Sequence, residues 1–180
     1  MKKMQYIVLL IIPLLCYGNS QLKDASTDYI IQTLSAESKY KAALGKLIKN
    51  SDKVKVYKLG KTSAYLSEDP FAAIQDTGFE ISPHNQIAEV LNHKVLEGQE
   101  LLAFQNALYN LLQPHTDVWS RAMCHEPILG VEVFIGSDLI FSTSFCWKCN
   151  NYFVEYPDGR LAWEALKDTE LQELAKKLWN

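Results

Sequence analysis

Leucine and phenylalanine recur at helical spacing in GQELLAFQNALYNLLQ, where Leu101, Phe104, Leu108, Leu111 and Leu112 fall on one face. Pro114 follows and stops the helix. SAESKYKAALGKLIKN predicts a second helix, with Ser35 as N-cap and Tyr40, Leu44, Leu47 and Ile48 on one face. The preceding STDYIIQTL extends this helix or forms its own turn. A third helix is predicted over LAWEALKDTELQELAKKLW, with Leu161, Leu166, Leu171, Leu174 and Leu178 turned to the core.

Elsewhere the period drops to two. KVKVYKL, Lys53 to Leu59, alternates and is rich in Val and Tyr, as a strand requires. GKTSAYLSEDPFAAIQDTG has turn formers at both ends and reads as a long connection. FEI and HKVL are short strand candidates around a helical turn near PHNQIAEVL. Three strands then follow closely: GVEVFIG, LIFSTSFC and NNYFVEY, separated by turns and closed by PDG. Strands and helices do not alternate regularly. The pattern therefore predicts an α+β fold, with a small antiparallel sheet whose C-terminal three-strand meander packs against two or three helices.

The last two of these strands meet at FCWKCN. With Trp147 and Lys148 as a two-residue loop, Cys146 faces Cys149, Thr143 faces Tyr152 and Phe141 faces Val154. Period-two counting then collects Leu139, Phe141, Phe145, Tyr152, Val154 and Tyr156 on one greasy face. Ile140, Ser142, Ser144, Cys146, Cys149, Asn151 and Glu155 share the other, more polar face.

The N-terminus changes where this domain is expected to work. MKKMQYIVLLIIPLLCYG has a basic start, an apolar run and small residues after it, the order of a secretory signal. The apolar run is short for a membrane span. Cleavage after Gly18 leaves residues 19–180 as one exported domain of about 160 residues, enough for a sizeable core. Cys16 stands where a lipid-modified cysteine would, but Leu15 before it is a poor context, so envelope anchoring through Cys16 is the alternative. Losing residues 1–18 removes two lysines and no acid, taking the formal charge from −3 to −5. An acidic domain of this kind lacks the electrostatic footprint of a nucleic-acid binder. The basic run from Lys39 to Lys58 fits the wet face of a helix and a strand.

Export bears directly on Cys124, Cys146 and Cys149, because thiols outside the reducing cytosol tend to pair. Residues facing across a hairpin have Cα atoms about 5.5 Å apart, which suits a Cys146–Cys149 disulfide. Cys124, just before the first strand of the same sheet, can instead reach either of them. Three cysteines leave one thiol over. A redox C-x-x-C is normally activated at a helix start, whereas this one joins two strands. CWKCN also resembles half of a zinc ribbon, with Asn150 suited to the left-handed position after it. Zinc then needs Cys124 as third ligand and a histidine as fourth, His125 or His93 being the candidates, with His84 and His115 more distant options.

Other chemistry is sparse. The chain has no G-x-S-x-G, no H-E-x-x-H and no phosphate-cradling glycine loop, so no catalytic residue is assigned. Catalytic groups can still converge from distant loops without any motif. His125 adjoins Cys124 and Glu126, but neighbours on an extended segment point to opposite faces. Trp119, Trp147 and Trp163 are candidates for a recognition surface, Trp147 at the hairpin tip being the best placed for a partner contact.

The VKVYKL strand, HKVLEGQELLAFQNALYNLL, CHEPILGVEVFIGSDLIF, FCWKCNNYFVEY and the leucine-rich last helix together resemble a widespread set of uncharacterised exported or lipid-anchored bacterial proteins. The matched positions are Cys124 and Pro127 of a C-x-x-P, and Cys146 and Cys149 of an F-C-x-x-C. The resemblance spans Val54 to Leu178 and departs at the signal, where PLLC is a poor lipidation context. It implies an exported α+β domain with a functional or structural trio of cysteines, and it carries no known activity. The expected protein is an exported, periplasmic or extracellular binding domain, of immunity or inhibitor type, with structural cysteines and a protein partner. The alternative is a thiol or zinc-binding protein using Cys124, Cys146 and Cys149.

Overall fold

The computed structural model describes residues 35–63, 78–81, 86–113, 124–166 and 169–179. The expected signal segment with Cys16, the segment STDYIIQTL, and His84, Pro114, His115 and Trp119 lie outside these residues. Helix α1 covers residues 35–49. Strands β1 (Lys53–Ser63), β2 (Gly78–Ile81) and β3 (Gln86–Leu96) follow, then helix α2 (Gly98–Leu111). Four strands come next, β4 (Leu129–Ile135), β5 (Asp138–Cys146), β6 (Asn151–Glu155) and β7 (Leu161–Ala165), and helix α3 (Thr169–Leu178) closes the order.

The fold is α+β, as the mixed periodicity implies, but the sheet is larger than expected. Seven strands pair in the order β2-β3-β1-β4-β5-β6-β7, every neighbour antiparallel. β1 lies in the middle, with Tyr57 opposite His93 of β3 on one side and Gly130 of β4 on the other. Because β3 and β4 each run antiparallel to β1, they run parallel to each other. A parallel pair needs a long crossover, and α2 supplies it.

Alternation along the strands gives the sheet one apolar face. Val54 and Val56 of β1, Val131 and Val133 of β4, Phe145 of β5 and Tyr152 and Val154 of β6 are all buried there. The three helices close over them with Leu44 and Ile48, then Phe104, Leu108, Leu111 and Leu112, then Leu171 and Ala175. The α2 stripe is thus the expected one, with Leu101 packed at its margin. Gln105, a polar residue within that face, is buried too and donates to the Ser51 carbonyl at 2.6 Å, pinning α2 to the turn before β1. Burial of a polar group without such a partner would cost free energy.

Four local expectations are corrected. Ser35 lies within α1 rather than ahead of it, and Leu47 is 48% exposed. Leu161 to Ala165 is not the start of the last helix but strand β7, paired along its length with β6. PDG makes the tight return: Tyr156 and Arg160 are backbone-bonded at 2.8 Å, and Gly159 takes φ +78°. Gln86 to Leu96 is a continuous strand, with no helical turn between two short ones. Its pattern is broken by a bulge, since Asn92 pairs with Lys58 and Val90 with Leu59 while Leu91 is skipped. A bulge turns later residues to the other face and bends the strand. Ala88 and Val90 accordingly join Leu59, Phe79 and Ile81 in a second, smaller cluster.

That second cluster marks how far the sheet curls. Phe79 on edge strand β2 reaches Gly130 on β4, although β3 and β1 stand between them in the sheet. A Cβ at position 130 would fall 2.7 Å from the Phe79 ring, so the approach requires glycine. Tyr57 completes the contact, its ring centroid 5.1 Å from that of Phe79.

Candidate functional site

The β5–β6 hairpin has a four-residue tip, Trp147 to Asn150, in place of the expected two. Cys146 pairs with Asn151 and Phe145 with Tyr152, a shift of two residues that preserves which face each side chain occupies. Asn150 takes the left-handed conformation anticipated for it, φ 56°. With the wider tip, Cys149 no longer faces Cys146 and is joined to Cys124, the Cα atoms 5.6 Å apart. Cys146 is the remaining thiol and is fully buried. Its sulfur accepts the backbone N–H of Cys149 at 3.2 Å and of Glu126 at 3.3 Å.

Two of the three sulfurs expected for zinc are therefore bound to each other. Among the described residues no three His, Cys, Asp or Glu side chains converge as a metal site. His93 is exposed on β3, beside Tyr57, with β1 and β4 between it and the hairpin. Trp147 does not stand free at the tip: it stacks on Phe145 with centroids 5.9 Å apart and packs against the main core.

His125 is the residue whose placement departs most from its sequence context. The disulfide holds residues 124–128 as a strap along the end of β5, where Ile128 donates its N–H to the Phe145 carbonyl. The strap folds the His125 ring onto the sheet face opposite the helices. There the ring meets Phe153 and Trp163 edge-on, with centroids 5.0 and 5.5 Å away. Its Nδ1 lies 2.7 Å from Asn151 Oδ1 and its Nε2 2.8 Å from Ser144 Oγ. Asn151 also donates through Nδ2 to the Cys124 carbonyl at 2.7 Å, so its Oδ1 is the acceptor. Neutral His125 must then carry its proton on Nδ1 and accept from the Ser144 hydroxyl at Nε2. Ser144 and Asn151 belong to the face read from sequence as the more polar one, yet they are 3% and 0% exposed.

Beside this polar cluster lies a cleft of about 770 Å³. Gly78, Phe79 and Glu80 of β2 form one wall; Leu139 to Ser144 of β5, with Phe153 and Glu155 to Pro157, form the other. Tyr57, Glu132 and Tyr40 line it between these walls. The curl of the sheet brings β2 across, and a gap between β5 and β6 opens the far side. β5 keeps its pairing with β4 out to Asp138, but it pairs with β6 at two positions only. The Thr143 hydroxyl replaces the next rung, donating to the Phe153 carbonyl at 2.8 Å and accepting the Phe153 N–H at 3.3 Å. Beyond that point β6 is paired, among the described residues, with β7 alone.

The cleft is aromatic and acidic. Glu80, Glu132 and Glu155 line it, and its described lining residues include no lysine, arginine or histidine. The Tyr57 hydroxyl donates to Glu132 at 2.6 Å. Burial raises the Tyr57 pKa, and the hydrogen bond and charge of Glu132 raise it further. Tyr40 is raised by burial and by the charge of Glu155. Both phenols are thus held as proton donors at neutral pH. Aromatic walls with fixed hydroxyls and anionic ends suit recognition of a ligand whose polar groups are donors or cations.

No helix among the described residues is long and apolar enough to cross a membrane. Compared with known proteins, the chain matches no family model, no curated sequence and no solved structure.

Proposed function

We propose that this is an exported, non-catalytic interaction protein whose binding site is the cleft between β2 and the β5–β6 gap. The observation that carries the reading is the cleft itself, whose volume lies in the range of ligand sites and whose carboxylates stand against aromatic rings. The signal-like N-terminus, the acidic charge and the Cys124–Cys149 disulfide support work outside the cytoplasm. In its most specific form the protein is an immunity- or inhibitor-type domain that caps an enzyme or toxin in the envelope or outside the cell. The test is a crosslinking pull-down from envelope extract with the wild-type chain and with Ser142→Trp, which fills the cleft. A protein recovered by the first and lost with the second supports the reading; equal recovery, or none under several growth conditions, rejects it.

A second reading rests on the Ser144–His125–Asn151 series, whose tautomer is that of an acyl-transfer relay. Ser144 lines the cleft, and its proton would pass to His125 Nε2 as Oγ attacked a substrate carbonyl. A fluorophosphonate probe decides this. Labelling that disappears in Ser144→Ala and His125→Ala supports it, and an unlabelled wild-type chain removes it.

A further inference from the structure

The gap that opens the cleft is also an interruption of the sheet. From Asp138 to Ser142, β5 has a strand partner on its β4 side and none on the other among the described residues. The interruption is held open from below, because the Thr143 hydroxyl saturates the Phe153 backbone at both its N–H and its carbonyl. Beyond it β6 pairs with β7 through Glu155↔Leu161 on its other edge. The β5–β6 ladder stops at Phe145↔Tyr152, with the Thr143 hydroxyl in place of the next rung. An unpaired strand edge is a template for another strand. Such edges are commonly guarded by charge or by a bulge, and this one carries Asp138 and a bulge at Ile140, which is skipped in the pairing with β4; it nevertheless faces into a cleft lined by Ile140 and by Leu139, which is 52% exposed.

The side chains around the edge state what kind of strand fits. An extended segment alternates its side chains between two directions, about 3.3 Å per residue. Around the gap stand Glu80 on β2, Glu132 on β4 and Glu155 on β6, with no compensating cation among the described lining residues. The rings of Tyr40, Tyr57, Phe79, Phe153 and Tyr156 offer aromatic surface to a cationic side chain passing between them. An acidic incoming segment would meet like charge, which works against it.

We infer that the cleft receives an extended, lysine- or arginine-bearing segment of a partner protein, which adds to the edge of β5 that has no strand partner among the described residues, over Asp138–Ser142, and directs its basic side chains to Glu80, Glu132 and Glu155. The inference rests on the cleft being the binding site and names its occupant. Main-chain pairing supplies affinity in such complexes, and the carboxylates supply selection among sequences.

The test uses the full oxidised chain and four probes in fluorescence anisotropy: a labelled alternating Lys-Val decapeptide, the corresponding Glu-Val decapeptide, the Lys-Val peptide N-methylated on alternate residues, and spermidine as competitor. The expected result is saturable binding of the Lys-Val peptide and at least tenfold weaker binding of the acidic and N-methylated forms. Glu155→Gln and Glu80→Gln, both at exposed positions, should each weaken it by about twofold to fivefold, in a salt-dependent way. Amide exchange should slow at residues 139–142 on binding. Equal binding of the N-methylated peptide, or full competition by spermidine, would overturn strand addition and leave a simple cation site. Binding indifferent to both Gln variants would place the peptide elsewhere. Concentration-dependent self-association that protects the same amides and resists the peptide would make a second copy the occupant. No peptide binding while the pull-down still loses its partner with Ser142→Trp would reject the basic-strand occupant and retain the cleft as the site.

Discussion

Phe79 lies with its ring against the Cα of Gly130, two residues brought together from β2 and β4 across the two strands that separate them. The contact holds the curl of the sheet, and the curl makes the cleft. Gly130→Ala should lower stability by about 1–3 kcal/mol, because a methyl group forces the ring aside in a packed cluster. Phe79→Ala should cost more on its own, through cavity formation. In the Phe79→Ala background, however, Gly130→Ala should cost little, since the clash has gone. Urea unfolding of the four proteins in the cycle gives the coupling directly.

Alkaline pH should unfold the protein through its tyrosines. Tyr152 is buried and its pKa is raised well above the usual value, first by burial and then by the charges of Glu164 and Tyr156. Tyr57 is raised by burial and by Glu132. A folded pKa above the unfolded value near 10 contributes stability that is complete below about pH 10 and is lost as pH rises toward the folded value. Absorbance at 295 nm should therefore show part of the tyrosine signal rising only together with loss of circular dichroism. Tyr57→Phe should soften that limb and, by removing the hydrogen bond to Glu132, cost about 1 kcal/mol at neutral pH.

The disulfide joins residues 25 apart, a loop for which chain-entropy arguments give a contribution of about 3 kcal/mol. Cys124→Ser with Cys149→Ser should lower the denaturant midpoint accordingly, whereas Cys146→Ser should be milder because a hydroxyl still accepts the two N–H groups. Intact mass of the purified protein should lie two protons below the reduced mass, with one cysteine, Cys146, alkylated only after denaturation.

His125 should matter more than its sequence neighbours suggest. Removing the ring in His125→Ala leaves Ser144 and Asn151 buried without it, at a cost of about 1–3 kcal/mol. Asn151→Ala should free the Cys124 carbonyl and show strong coupling to His125→Ala in a double-mutant cycle. Additive losses would mean that the two side chains act independently and that the series is no network.

What the sequence made legible was the part of the fold decided within single elements. The α2 stripe from Phe104 to Leu112 needs no partner to be recognised, and Phe141, Phe145, Tyr152 and Val154 reach the core as their alternation implies. Ambiguity entered where one pattern serves two periods. In LAWEAL leucine, alanine and glutamate are good helix formers, yet backbone pairing with Asn151 to Glu155 is available and prevails. Leu91 hid β3 in the same way, since a bulge interrupts the alternation by which a strand is known. The candidate site was less legible for a stricter reason. His125 meets Ser144 across 19 residues and Asn151 across 26, and nothing local distinguishes those two from the other residues of the more polar face. The cleft depends on a curl and on missing rungs, which are properties of the assembled sheet.

The central position of β1 has a consequence for how the chain comes to be folded. It is the first strand of the described chain to be synthesised, and both its edges stay bare until β3 and then β4 have followed. During synthesis this valine- and tyrosine-bearing segment is therefore the stretch most ready to pair with the wrong neighbour. Lys53, Lys55, Lys58 and Lys61 recur along it. In the finished protein they are ordinary positions of a strand; in the growing chain they are what keeps one copy of β1 from another.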